Sequence, residues 1–351
     1  MKIADSGFFS AVRSSRKILI IVFGGLGDVV HSVPALRSIR LSFPKARIDV
    51  LAPASAAPLL RELEGVDRVI PHRGKQAGWS FENLRQYWAL FGRRYDLCID
   101  LWGSNHSSGI AWCSGARVRL GRRPLEIWKR AWRWCHTHIA VYPYQKEAMH
   151  TQWTAMLAEL GFAVDRRFAL RLGAARLASV GIDPALQGRY IHLSPSTGDP
   201  ARDLPVPVLA EMLNGIGRRL PRFPQVLSTT AAPRDCERLT RLLALLERPP
   251  LKVFAGELDT AGLYALIQGA ALSLSADSAP VHIAVAADTP SVSWFLQNPG
   301  IREYLPPAPR HRALIATEPR GDGICTIAAR QLIELAIEAL GEDSAPREVA
   351  G

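Results

Sequence analysis

Residues 17–23 (KILIIVF) form an apolar, β-branched run that ends in Gly24-Gly25-Leu26-Gly27-Asp28. A run of strand length with no polar face belongs inside a sheet buried on both sides, which points to a parallel one. Parallel strands need crossover connections, and these are usually helices. The chain supplies them. A helical pattern over residues 29–42 is stopped by Pro44, and a strand follows at 47–51 (RIDVL). Strands at 66–70 and 95–100 flank a helical stretch at 80–92. The pattern fades over 170–188, then resumes with strands at 190–193, 225–229, 251–255, 272–275 and 291–295, helices at 206–220, 235–246, 260–269 and 280–287, and a last helix at 327–340. With 351 residues the chain exceeds what one core usually supports. The expected fold is α/β, with two Rossmann-like domains facing a central cleft: residues 1–175, residues 185–325, and a 326–351 segment whose helix packs back on the first domain before a tail. Residues 1–16 read as a loose arm. Ligands of such folds bind outside the carboxyl ends of the strands.

Composition narrows the function. Lys and Arg number 43 against 32 Asp and Glu, a net charge of +11 that suits an anionic partner. No apolar run approaches the ~18 residues of a membrane span, and no secretory leader pattern opens the chain. Five cysteines, an odd number with no CxxC pair, argue against a zinc site or disulfide framework and for a reducing cytoplasm. The glycine loop invites a dinucleotide reading, but GxGxxG begun at Gly25 needs glycine at position 30, which is Val30, and Asp49 lies within its strand rather than at its end.

Asp28 has two readings: a helix cap, or a carboxylate held ionised at a helix N-terminus and able to accept a proton. His31 follows one turn later, either as a satisfied helix residue or as a ligand contact. In the second half, residues 275–286 (SADSAPVHIAVA) again follow a strand and open a helix. There Asp277 suits sugar hydroxyls, Ser278 can donate, and helix-start amides suit a phosphate; the plainer reading is a capped helix with a packed His282. Ser194, Ser196 and Thr197 follow the strand at 190–193 and suit phosphate or form an ordinary polar loop. Arg117, Arg119, Arg122, Arg123, Lys129, Arg130 and Arg133 alternate with Trp128, Trp132 and Trp134. That pattern fits an anionic membrane surface, single-stranded nucleic acid, or a half-buried helix with solvated arginines.

The stretch from Gly24 to Leu51, through Gly27, Asp28, His31, Pro34-Ala35-Leu36 and Phe43-Pro44, resembles the N-terminal signature of the ADP-heptose:lipopolysaccharide heptosyltransferases, glycosyltransferase family 9. Asp277, Ser278, His282, Ala284, Ala286 and Pro290 resemble the family's C-terminal signature, with Ala279 where glycine is usual. Arg202-Asp203-Leu204-Pro205 stands where the family carries Lys-x-Trp-Pro. Asp100, Gly103, Ser107, Gly115, Ala116 and Gly121 match a third segment. The resemblance implies a GT-B, inverting transferase moving L-glycero-D-manno-heptose from ADP-heptose to a lipopolysaccharide inner-core acceptor, lipid A–Kdo or heptosylated core. It assigns general-base catalysis to Asp28. Donor binding falls to Ser194, Ser196, Thr197, Arg202, Asp277, Ser278, Ala279 and His282, and acceptor binding to Gly25, Gly27, His31, Arg122 and Arg123. No D-x-D occurs, so neither metal nor other cofactor is expected. The expected location is peripheral, on the cytoplasmic face of the inner membrane, without nucleic acid. A transferase with another nucleotide-sugar donor or a protein acceptor, and a non-catalytic membrane-associated binding protein, remain alternatives.

Overall fold

The computed structural model describes residues 2–72, 85, 88–122, 132–141, 148–297, 309–317, 323–324 and 326–342. The chain divides into two compact units, Met1–Phe168 and Ala169–Gly351.

The first unit runs β1 (Lys2–Ile3), α1 (Phe8–Val12), β2 (Lys17–Ile21), α2 (Leu26–His31), α3 (Val33–Ser42), β3 (Arg47–Pro53), α4 (Ala57–Arg61), β4 (Arg68–His72), β5 (Leu97–Asp100), α5 (Asn105–Cys113), β6 (Val118–Arg122), α6 (Trp132–Cys135), β7 (His138–Ala140) and α7 (Met149–Glu159). All strand pairings are parallel, in the order β1-β7-β6-β5-β2-β3-β4. Ile18, Leu19, Ile20 and Ile21 of central β2 are fully buried, as the opening apolar run predicts. From β2 the chain winds one way to β3 and β4, and from β5 the other way to β6 and β7. The order therefore reverses between β2 and β5, and the crevice outside their carboxyl ends is where such a sheet receives ligands.

The expected loose arm is corrected. Lys2 and Ile3 pair with His138 and Ile139 of β7. Phe8 and Phe9 meet Phe162 at ring-centroid distances of 6.2 and 5.1 Å, and Phe9 meets Phe43 at 5.4 Å. These contacts bury enough apolar surface to order a short segment, and their partners lie too far along the chain for local pattern to reveal.

The second unit runs α8 (Ala174–Ser179), β8 (Ile191–Ser194), α9 (Val206–Arg219), β9 (Gln225–Thr229), α10 (Pro233–Leu243), β10 (Lys252–Ala255), α11 (Thr260–Gln268), β11 (Leu272–Ala276), α12 (Ala279–Ala286), β12 (Ser291–Leu296), β13 (His311–Ala316) and α13 (Ala329–Glu342). Its parallel sheet has the order β10-β9-β8-β11-β12-β13, reversing between β8 and β11. One face carries Leu193, Leu227, Leu274 and Trp294 into a core completed by α9 and α13. The α13 helix, expected to pack back on the first domain, inserts Leu332, Ile333, Ala336 and Leu340 into this core. The reason is shape: its apolar stripe matches the Leu209, Met212, Leu213 and Ile216 stripe of α9. Alternate residues point to the opposite face, where His192 bonds to Ser273 (3.1 Å) and Ser228 (2.8 Å). The β13 strand and α8 lie where no pattern was read.

Candidate active site

The two switch points gather the residues singled out above. In the first unit, Gly24 turns the chain off β2 with φ +96°, a conformation that suits glycine. Gly25 starts α2, and Asp28 stands in its first turn, where Oδ2 accepts the Gly25 N–H at 2.7 Å. Asp28 is therefore not the cap residue. It is the acidic partner that reaches back to the cap, half of a capping-box arrangement. Burial pushes its carboxyl above the ordinary aspartate value, while the Gly25 N–H and the Arg122 charge pull it down. A half-buried carboxylate of raised pKa is a stronger base than one in water, and it has an oxygen left for a substrate proton.

Arg122 closes β6 beside this loop. Gly25 is exposed and Gly27 buried. His31, expected to face an acceptor, is fully enclosed. Its ring stacks on Phe168 at 5.1 Å and on His150 at 5.7 Å, and burial brings His150 down to about 4. It lies at the C-terminal end of α2, next to the buried Val29 and Val30. Arg123, Trp128, Lys129 and Arg130 lie outside the described residues.

Sequence reasoning assigned no role to the next loop, after β5. Asp100, 1% exposed, accepts the N–H groups of Trp102 (3.1 Å) and Gly103 (3.0 Å) on Oδ1 and the Ser107 hydroxyl (2.9 Å) on Oδ2. His136 Nε2 stands 3.4 Å from the same Oδ2. The Asp-x-x-Gly spacing was visible; its convergence on the Gly24 loop depends on strand order.

In the second unit the corresponding loops follow β8 and β11. Arg202 and Asp277 meet with Nη1 3.1 Å from Oδ2, and Asp199 Oδ2 lies 3.5 Å from Arg202 Nε. Ser278 precedes α12 but bonds to Ala276 O at 3.2 Å instead of capping the helix. Pro280 has no N–H, and the Val281 N–H is taken by Ser278 O. That leaves the Ala279 amide for an anion. Ala279 does not adopt positive φ, so alanine fits this position without strain. His282 is buried one turn on. Ser194 closes β8 and is nearly buried, and the enclosed Ser196 hydroxyl has no protein partner. Thr197, expected to hold donor, also ties the loop together. Its N–H donates to Asp203 (2.8 Å) and its hydroxyl to Asp199 O (2.6 Å). Asp203, 1% exposed, also pairs with Arg234, which donates to Thr197 O at 2.8 Å. Arg238, brought down to about 10 by burial and its arginine neighbours, donates to Pro195 O at 3.0 Å. This acid with two arginines holds residues 195–199.

Two parallel α/β units, each with polar loops at its switch point, make up a GT-B fold. The chain belongs to glycosyltransferase family 9 (heptosyltransferase), whose model matches residues 84–302. It is 24% identical over 281 residues to lipopolysaccharide heptosyltransferase 3 of Escherichia coli strain K12, covering 77% of this chain and 79% of that one. Its fold is similar to that of E. coli ADP-heptose lipopolysaccharide heptosyltransferase II, with a TM-score of 0.75 at 22% identity over 94% of this chain and 100% of the other. It is also similar to E. coli heptosyltransferase WaaC with ADP-2-deoxy-2-fluoro heptose, with a TM-score of 0.71 at 20% identity over 92% and 99%.

Proposed function

We propose that this glycosyltransferase moves L-glycero-D-manno-heptose from ADP-heptose to an inner-core sugar of lipopolysaccharide, Kdo or heptose, inverting the anomeric carbon without a metal. The observation that carries the reading is the setting of Asp28: half-buried at the switch point, raised in basicity, with one oxygen held by the Gly25 N–H. Asp28 takes the proton of the attacking acceptor hydroxyl as the new glycosidic bond forms and the bond to ADP breaks. The leaving diphosphate is stabilised by Arg202, the Ala279 amide and the Ser196 hydroxyl. Ser194, Asp277, Ser278 and His282 complete the donor loops. Metal independence is supported by the lack of any D-x-D in the sequence.

The test is transfer to deep-truncated lipopolysaccharide acceptors with ADP-heptose in the presence of EDTA, beside a panel of other nucleotide sugars. Activity that survives EDTA and falls ~100-fold in Asp28→Ala is expected for loss of a positioned base. Failure of ADP-heptose to bind or react removes the heptose reading.

Contact with an anionic membrane surface is part of the same reading. Among the described residues no helix is long and apolar enough to cross a membrane. Trp88, Phe91, Trp112 and Trp134 are exposed, each on a segment leading into a strand, so they lie toward the amino end of the first sheet, away from Asp28. Arg85, Arg94 and Arg117 are exposed on the same segments. Aromatic rings with arginines between them suit a headgroup layer of negative charge.

A further inference from the structure

The environment of Asp28 is built largely by a neighbouring loop. Trp102 stands on the connection that leaves β5, the strand beside β2. A β-carbon on Gly24 would stand 2.6 Å from Trp102 Cη2 and would also collide with the Asp28 carboxylate. The edge of the ring at Cη2 and the carboxylate therefore border the same small space over Gly24. The inner edge of Trp102 packs against the core cluster of Phe23, Ile21 and Cys98.

The backbone that carries Trp102 is pinned. Asp100 holds the backbone N–H groups on both sides of the turn, at 3.1 and 3.0 Å, and is itself fixed by Ser107 and His136. Gly103 has φ +73°, and a β-carbon there would approach the Arg122 backbone oxygen to 3.0 Å. The turn is thus clamped between Asp100 and the strand that presents Arg122. Arg122 is the charged group from another element that acts on Asp28. On its own helix, His31 turns inward to Phe168.

We propose that Trp102 is a positioning residue that keeps water from one side of the Asp28 carboxylate, and that Asp100 is the residue that fixes Trp102 there. This rests on the reading of Asp28 as the general base. Neither residue exchanges a proton with substrate. Trp102 acts through desolvation, and Asp100 acts through Trp102. Among the described residues the base owes its strength to an apolar wall that opposes ionisation rather than to a charge of like sign, while Arg122 and the Gly25 N–H limit that effect.

The experiment is the pH dependence of kcat/KM in Trp102→Ala, Trp102→Leu, Asp100→Ala and Asp100→Asn, paired with carbon-13 NMR titration of the Asp28 carboxyl in each. Trp102→Ala lets water in, so the acid limb and the Asp28 titration both move to lower pH, and kcat at neutral pH falls about 3- to 10-fold as the base weakens. The donor KM stays within about 2-fold. Trp102→Leu keeps an apolar wall and restores most of the shift. Asp100→Ala moves the limb in the same direction as Trp102→Ala. Asp100→Asn, whose oxygen still accepts the two amides, stays near the parent. An Asp28 titration unmoved in a folded Trp102→Ala overturns the proposal, as does an equal shift in Trp102→Leu. Should Trp102→Ala not fold, the direction of the limb in Asp100→Ala against Asp100→Asn decides in the same way. Asp28→Asn separates the two readings. Full activity there removes the general base itself, whereas an inactive Asp28→Asn beside an unshifted Trp102→Ala removes only the role of Trp102.

Discussion

Arg202 and Asp277, 75 residues apart in sequence, join the loops after β8 and β11 through a 3.1 Å contact between Nη1 and Oδ2. The pair holds a cation beside the open Ala279 amide. A strong Arg–carboxylate pair would be a poor phosphate ligand if both guanidinium edges were used, but Arg202 is only partly enclosed and Asp199 lies at 3.5 Å. Arg202→Ala is expected to weaken ADP binding by ~10-fold or more, the scale of one charge-assisted hydrogen bond. Arg202→Lys should recover only part of that, because a point charge does not replace the planar fork. Calorimetry with ADP reads both values. Unchanged affinity in Arg202→Ala would take the residue out of the donor site.

Asp203 carries a structural load one residue away. It is almost wholly buried, receives the Thr197 N–H and pairs with Arg234. Asp203→Ala leaves the buried Thr197 N–H without its acceptor, at about 1–3 kcal/mol, while Arg234, 39% exposed, can turn to water. The substitution should destabilise the second unit by about that amount and loosen the 195–199 loop. Hydrogen exchange at Thr197 reports the loop directly; protection equal to the parent's would show that Asp203 does not hold it.

These two residues mark what local sequence carries. Asp28 and Asp277 were legible because each sits in a contiguous strand–loop–helix stretch whose residues are all neighbours in the chain. Asp203 and Asp100 were not assigned roles, since their partners (Arg234 and Arg238, or Trp102, Ser107 and His136) converge only once strand order brings separate loops together. His31 shows how far a local reading reaches. Helical spacing put it one turn from Asp28, but its environment is set by Phe168 and His150 far along the chain. The arm was misread for the same reason: two strand residues pairing with β7 are a tertiary fact, as is the match of the α13 stripe to α9. Alternation of strands and helices, by contrast, is local: β2 to β5 and β8 to β12 were foreseeable from it, whereas β1, β6, β7 and β13 were not.

The exposed aromatics allow a test of the membrane reading that leaves the fold intact. Trp112 and Trp134 are 61% and 80% exposed, so replacing both with serine should change stability by no more than about 0.5 kcal/mol each. Sedimentation with vesicles containing anionic lipid should fall several-fold in the double variant, and binding by the parent should weaken as salt screens the arginines. Equal sedimentation of parent and variant would leave the rings without a membrane role.

Asp28 should show a trade between activity and stability, and the sign follows from its raised carboxyl. Below its ordinary value of 3.8 the group is protonated in folded and unfolded chains alike, and burial exacts no charge penalty. As pH rises, the unfolded chain ionises first, so stability is lost until the folded group ionises too; above that point the loss is constant. Asp28→Asn never ionises, yet its side-chain oxygen can still accept the Gly25 N–H. It should therefore melt higher than the parent at pH 7, with the gap closing as pH approaches about 4. Transfer activity should be lost at every pH, because an amide accepts no proton. Thermal melts of both proteins across this range decide the matter: an Asp28→Asn that melts lower at neutral pH would mean that interactions of the ionised carboxylate, rather than its desolvation, dominate the site.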